Sequence, residues 1–171
     1  MALLSDLDFD HLGPAKLWAA LDPDTRALCA RAMYGEDDQR RREANAAIAA
    51  LMRFRPEFVR RLPLDKRVLY LARQVRADDG LAGSLLLAVH FEVRRALLSA
   101  FLDQLGIPHR DGVIDEGHEL KSWSVEELAG PVAALYERFP AADVDLYLAS
   151  LVALDRGSWG GLIELLRART R

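Results

Sequence analysis

The sequence predicts an all-α protein, a compact irregular multi-helix bundle packed around one long central helix at about residues 84–105. Three observations lead there. Hydrophobic residues make up 51% of the 171 positions, enough for a chain of this length to bury a core without staples. Apolar residues recur at helical spacing, and no stretch alternates β-branched residues as a strand would. Helix-start and helix-stop residues punctuate the chain at regular intervals.

The central segment, SLLLAVHFEVRRALLSAFLDQL, carries most of this reading. At about 100° per residue, Ser84, Ala88, Glu92, Arg95, Ser99 and Asp103 fall on one stripe, expected to face water. Most of the remaining girth is apolar, so other helices should cover it. Ser84 is the expected N-cap after an Asp78-Asp79-Gly80 turn, and Gly106 with Pro108 ends the helix. His90 and Arg94, one turn apart, point into the apolar arc. A buried guanidinium needs a carboxylate, and Asp143, Asp145 and Glu137 are the candidate partners. The pair reads either as a structural ion pair with a bonded histidine or as a small polar pocket, with Arg94 holding an anion and His90 handling a proton.

Met1 to Leu12 is short and acidic, an arm or short helix laid on the body, and Gly13-Pro14 ends it. Pro14 to Leu21 is a short helix with Trp18 inward. Asp22-Pro23-Asp24 starts the next, which runs to Tyr34. Its Cys29 reads as a small buried hydrophobe. Glu36 to Phe54 follows. Its EDDQRRR start looks basic, but Glu36–Arg40, Asp37–Arg41 and Asp38–Arg42 are acid-to-base pairs at i,i+4, so the run neutralises itself. Its NAAIAALM stretch permits close packing within the chain or across a dimer. Pro56 to Leu62 is a short helix. Asp65 caps KRVLYLARQV, with Val68, Ala72 and Val75 on one face.

The segment 107–123 reads as a long irregular connector. It holds His109, Asp111 and His118, the nearest approach to metal ligands in the chain, together with Asp115, Glu116 and Glu119. Their spacing matches neither an EF-hand nor a helical HExxH pair, so no metal or other cofactor is assigned. Ser124 and Glu127 form a capping box. Gly130-Pro131 should kink or divide the helix that follows. Pro140 restarts the chain into AADVDLYLASLVALDR, and GSWGG precedes the last helix, whose Arg167, Arg169 and Arg171 suit its negative end. GSWGG lacks the preceding strand and the lysine of a phosphate-binding loop, so it reads as a tight turn.

Net charge is −3, and the single cysteine excludes an internal disulfide and a cysteine-rich zinc site. A reducing cytoplasm is the expected compartment, and no segment has the length and apolarity of a membrane span. One region departs from the average. Residues 36–75 hold ten Lys/Arg and six Asp/Glu, interleaved with Phe54, Phe58 and Tyr70. This is the sole hint of nucleic acid binding, through the stretch 53–73, and no reader motif accompanies it.

The whole chain, 1–171, is expected to form a single helical domain, which could divide into sub-lobes at 1–76 and 80–171. No nucleophile and base stand at catalytic spacing, which argues against an enzyme. The expected function is a non-catalytic protein-interaction or scaffold module, with a protein partner or self-association as a homodimer. The competing expectation is a small-molecule or anion binder, even an enzyme, using His90 and Arg94.

Overall fold

The computed structural model describes residues 3–73 and 76–169. These form eleven α-helices and one small hairpin, so the protein is all-α. Val75 and Arg171, expected on a buried helix face and in the last turn, lie outside the described residues. The chain divides into two compact units. One is continuous, Pro14–Val93; the other joins Met1–Gly13 to Arg94–Arg171. The division falls at Arg94 rather than between residues 76 and 80. The first carries 14 Lys/Arg and 11 Asp/Glu, net +3, and the second 9 and 15, net −6. We call them the basic and the acidic unit.

The basic unit contains α1 (Pro14–Ala20), α2 (Pro23–Ala32), α3 (Asp38–Met52), α4 (Pro56–Arg61), α5 (Leu64–Arg73) and α6 (Asp79–Val93). Asp22 caps α2 by accepting the Asp24 and Thr25 N–H groups and the Thr25 hydroxyl. Asp37 caps α3, accepting from the Gln39 and Arg40 N–H groups. Because the cap is Asp37, that helix starts at Asp38 and its first ion pairs, Asp37–Arg40 and Asp38–Arg41, run i,i+3 instead of i,i+4. Helix α6 also starts early. Asp78 accepts the Leu81 N–H at 2.9 Å, so the helix is under way five residues before Ser84.

The single long helix expected over 84–105 is two helices. Arg94, at φ −118° and ψ 27°, leaves the helical region between α6 and α7 (Arg95–Gln104). No glycine or proline breaks the chain there, so tertiary contacts override local propensity. Arg95, Ser99 and Asp103, half of the expected water stripe, belong to the second helix and carry no information about the first. In α6 the open stripe is accordingly Gly80, Ser84, Leu87 and Phe91, while Ala88 is wholly buried. Glu92 is only 18% exposed and meets Arg40 at 3.5 Å. Leu85, Leu86 and Val89 form the core of this unit, where α6 packs against α1, α2 and α3.

The acidic unit holds α7, a hairpin of β1 (His109–Arg110) and β2 (Val113–Ile114), α8 (Val125–Arg138), α9 (Ala141–Leu154), α10 (Arg156–Trp159) and α11 (Leu162–Arg169). The expected irregular connector thus contains antiparallel strands. Asp111 and Gly112, at φ 50° and 85°, make the two-residue turn. Both take the left-handed conformation that an Asp-Gly pair accepts in a tight hairpin. Ser124 and Glu127 form the expected capping box. Helix α8 is not divided at Pro131. The proline removes one N–H in an early turn where Glu127, Ala129 and Gly130 are exposed, so water can satisfy the freed carbonyl.

An aromatic cluster closes this unit. Phe101 sits edge-on to Tyr147, 5.7 Å between centroids, and Trp123 stacks on Trp159 at 6.5 Å and 8°. A Cβ at Gly161 would stand 2.5 Å from the Trp123 carbonyl oxygen. GSWGG is therefore a close approach of two backbones. The N-terminal arm belongs here as well. Phe9 is buried. The Arg156 guanidinium donates to the Phe9 and Asp10 carbonyls at 2.8 and 2.6 Å, and Arg167 meets the Asp10 carboxylate at 2.7 Å.

Candidate functional site

The expected pocket at His90 and Arg94 is not assembled as one turn of one helix. His90 is a buried residue of α6 in the basic unit, whereas Arg94 opens the acidic unit. Of the three candidate acids Asp143 is the partner, at 2.6 Å from Arg94 Nη2. Asp145 instead accepts from the Tyr136 hydroxyl at 2.6 Å and faces Arg169. Glu137 is exposed. Arg94 is 11% exposed and Asp143 34%, so the guanidinium has a carboxylate partner that is itself partly open to solvent. Its Nη1 is enclosed with no acceptor among the described residues.

The metal candidates are also placed apart. The His109 ring lies between the Asp103 carboxylate and the Gly112 N–H, each at 3.1 Å. Because Gly112 donates to Nδ1, the proton of a neutral ring sits on Nε2, where it bonds Asp103. Asp111 forms the hairpin turn, and His118 is exposed. Among the described residues no group of three or more His, Cys, Asp or Glu could hold a metal. No helix among them is long and apolar enough to cross a membrane.

The arrangement that stands out is on the basic unit, over α3, α4 and α5. Prolines build it. Arg55 and Leu62 precede Pro56 and Pro63, and both are extended, ψ 139° and 142°, as a residue before proline prefers. Three helices thus follow one another with almost no connector, and α4 and α5 both pack on α3. Helix α3 ends on Arg53 in the left-handed conformation, φ 53°. This turns Phe54 so that its N–H meets the Ala49 carbonyl at 3.0 Å. The Phe54 ring is then edge-on to Phe58, 5.0 Å away, and to Tyr70, 5.8 Å away. On α5, Lys66, Tyr70 and Arg73 share one stripe by their spacing, opposite the buried Val68, Leu71 and Ala72.

Large apolar side chains remain open on these three helices: Leu51 and Phe58 each 49% exposed, Leu69 46% and Leu64 37%. The charges around them are unequally committed. Both acids of residues 53–73 are engaged, Glu57 with Arg60 and Asp65 with Arg31. Arg67 is also engaged, over the Tyr34 ring at 4.7 Å and 3.4 Å from Asn45 Oδ1. Burial there pushes the Tyr34 hydroxyl up to about 12, with the Arg67 charge working against the shift. Arg53, Arg55, Arg61, Lys66 and Arg73 are exposed and make no ion pair with another described residue. Beside Leu51 a groove of about 520 Å³ opens between α3 and the start of α6. Ala46, Ala47, Ala50, Leu51 and Leu81 line it, with Glu43, Arg76 and Asp78 on its rim.

The interleaved bases and aromatics of 53–73 were visible in the sequence. Leu51, Leu64 and Leu69 were missed as surface residues. For Leu69 the signal existed, since it lies beside Lys66 and Arg73 on the helical wheel, away from Val68 and Leu71. Compared with known protein families, curated proteins and solved structures, the chain matches none.

Proposed function

We propose that this protein is a non-catalytic interaction module that docks a protein partner on the face formed by α3, α4 and α5. One observation carries the reading: four large apolar side chains held half-open, and five bases without an ion-pair partner among the described residues, on three consecutive proline-framed helices. Aromatic residues, leucines and arginines in such a setting are the material of interface hot spots, and the pairing of ring with guanidinium is characteristic of interface cores. Desolvating these side chains on association is favourable, while the rigid frame limits the entropy lost. The buried, single Cys29 and the lack of any cysteine pair suit action in the cytoplasm.

The test is a photo-crosslinking amino acid at position 58 of the full chain, expressed in its native host, with the same group at exposed Glu137 as control. A discrete protein adduct from position 58 alone, lost in Leu69→Ser, is the expected result. A second copy of the chain in that adduct would make the module self-associating. Equal, diffuse labelling from both positions would end the proposal.

A further inference from the structure

Three bases of the basic unit line a cavity that no acid lines. It holds about 350 Å³ between α1, α2 and residues 76–77, and the bases are Lys16, Arg26 and Arg76. None of the three makes an ion pair with another described residue. Arg26 is held in place. Its Nε donates to the Trp18 carbonyl at 3.1 Å and its Nη2 to the Ala19 carbonyl at 2.5 Å. These carbonyls belong to the last turn of α1, which is short of N–H partners of its own. The guanidinium also lies over the Trp18 ring, 5.9 Å from the centroid. Capping α1 occupies two of its three nitrogens. Nη1 makes no hydrogen bond to a described residue, and neutral carbonyls leave the positive charge in place. Two acids follow Arg76 in the chain. Asp78 accepts the Leu81 N–H and Asp79 the Ala15 N–H, each at 2.9 Å. Both keep their charge and weaken the field, but neither lines the cavity.

We propose that this cavity binds the phosphate group of a small, free phosphate monoester. The site is separate from the docking face on α3, α4 and α5 and does not depend on it. A phosphate monoester carries about two negative charges near neutral pH and three strong acceptor oxygens. Three cations meet that demand, whereas a single carboxylate would leave them in excess. A guanidinium matches phosphate oxygens with its planar fork, and a lysine adds a point charge. Arg26 is already held by the α1 carbonyls, so it loses little freedom when it meets a ligand. The volume lies near the small end of ligand cavities, which run from about 300 to 1,000 Å³. It suits a phosphate on a compact organic body, with Trp18 and Ala19 as apolar wall. A polynucleotide fits less well, because it needs bases spaced along a groove, and these gather in one cavity. A lipid headgroup shares the phosphate chemistry, and the experiment separates the two.

The full chain is titrated by calorimetry at physiological salt with four probes: glycerol 3-phosphate, glycerol, a single-stranded oligonucleotide, and phosphatidylcholine vesicles carrying phosphatidylinositol phosphate as a minor component. Glycerol 3-phosphate should bind with a Kd of ~1 mM or tighter, and glycerol should not bind. Lys16→Glu and Arg76→Glu, both at exposed positions, should each weaken glycerol 3-phosphate by about tenfold or more, the worth of one hydrogen bond to a charged group, with helicity unchanged. Lys66→Glu makes the same change in net charge outside the cavity and should leave the affinity as it was. Equal weakening by Lys66→Glu would trace the binding to the general field of the unit and overturn the proposal. Failure of glycerol 3-phosphate to bind at ~1 mM overturns it too, as does tighter binding of the oligonucleotide or of the vesicles.

Discussion

In the acidic unit the rings face inward. Phe101, Tyr147 and Trp159 are each 4% exposed or less, and even Trp123 lies along Trp159. In the basic unit the ring trio Phe54, Phe58 and Tyr70 leaves Phe58 half outside, and Leu51, Leu64 and Leu69 are exposed on the same three helices. The two units also differ in how they use charge. Long-range pairs in the acidic unit tie segments together, Asp143 to Arg94 and Asp10 to Arg167. On α4 and α5, one acid is consumed locally, Glu57 by Arg60, and one by a distant base, Asp65 by Arg31, and bases are left over. The difference teaches that the two units place their aromatic rings differently, one burying its cluster and the other leaving Phe58 half in water.

This contrast is sharpest where one ring is removed from each side. Trp159→Ala should cost about 3–5 kcal/mol, the range for emptying a buried aromatic site. Phe58→Ala should cost less than about 1 kcal/mol, since half of that ring is already in water. Urea unfolding of both variants measures the pair, and similar losses would erase the distinction. Next in size is the ion pair at the unit boundary. Arg94→Met should destabilise by about 2 kcal/mol, below the value for a fully buried pair because Asp143 keeps one-third of its surface in solvent. Adding Asp143→Leu should recover part of that loss, and a double variant no more stable than the single one would mean the pair is not closed.

How much of this could be read from the sequence depends on the range of the cause. The caps at Asp22 and Ser124 were legible because a cap is made within three residues, and so was the arm, from its leucines and Phe9. The candidate partners of Arg94 included the true one. The break at Arg94 was not legible, since VHFEVRRALL is a good helix in isolation and only packing divides it. The Asp111-Gly112 hairpin was legible in principle. An Asp-Gly pair is a strong turn signal, but its strands are two residues long, too short to show alternation. The pocket reading of His90 and Arg94 assumed one continuous helix, which is interrupted at Arg94. The basic–aromatic stretch was seen as a pattern, but which of its charges are neutralised depends on Arg31, Tyr34 and Asn45, which are remote in sequence.

Smaller effects probe the same contrast. Arg53 sits at a left-handed position, so Arg53→Gly should stabilise the basic unit by about 0.5–1 kcal/mol while deleting a charge from the open face. A thermal melt checks the sign, and a loss of stability would mean that the Arg53 side chain contributes more than its backbone strain costs. Finally, backbone N–H groups of Arg40 and Gln39 hold the Asp37 carboxyl below the usual carboxylate range, and bonds from Thr25 do the same for Asp22. A depressed folded-state value contributes stability that is present above about pH 4 and lost as the pH falls further. Asp37→Asn keeps a capping side chain without the titration. Its melting temperature should therefore drop less between pH 5 and pH 3 than that of the parent, two values bracketing the ordinary carboxylate range of about 4. An unchanged drop would assign the acid sensitivity to other carboxylates.

The clasp on the N-terminal arm bears on how the chain is made. Arg156 closes on the Asp10 carbonyl across 146 residues. At translation rates of about 5–20 residues per second, the arm waits roughly 7–30 s before its guanidinium exists. All of residues 14–93 emerge during that interval. The ribosome thus imposes an order that the finished fold conceals: the stretch 14–93 has its sequence complete before the arm that precedes it can be fastened by Arg156.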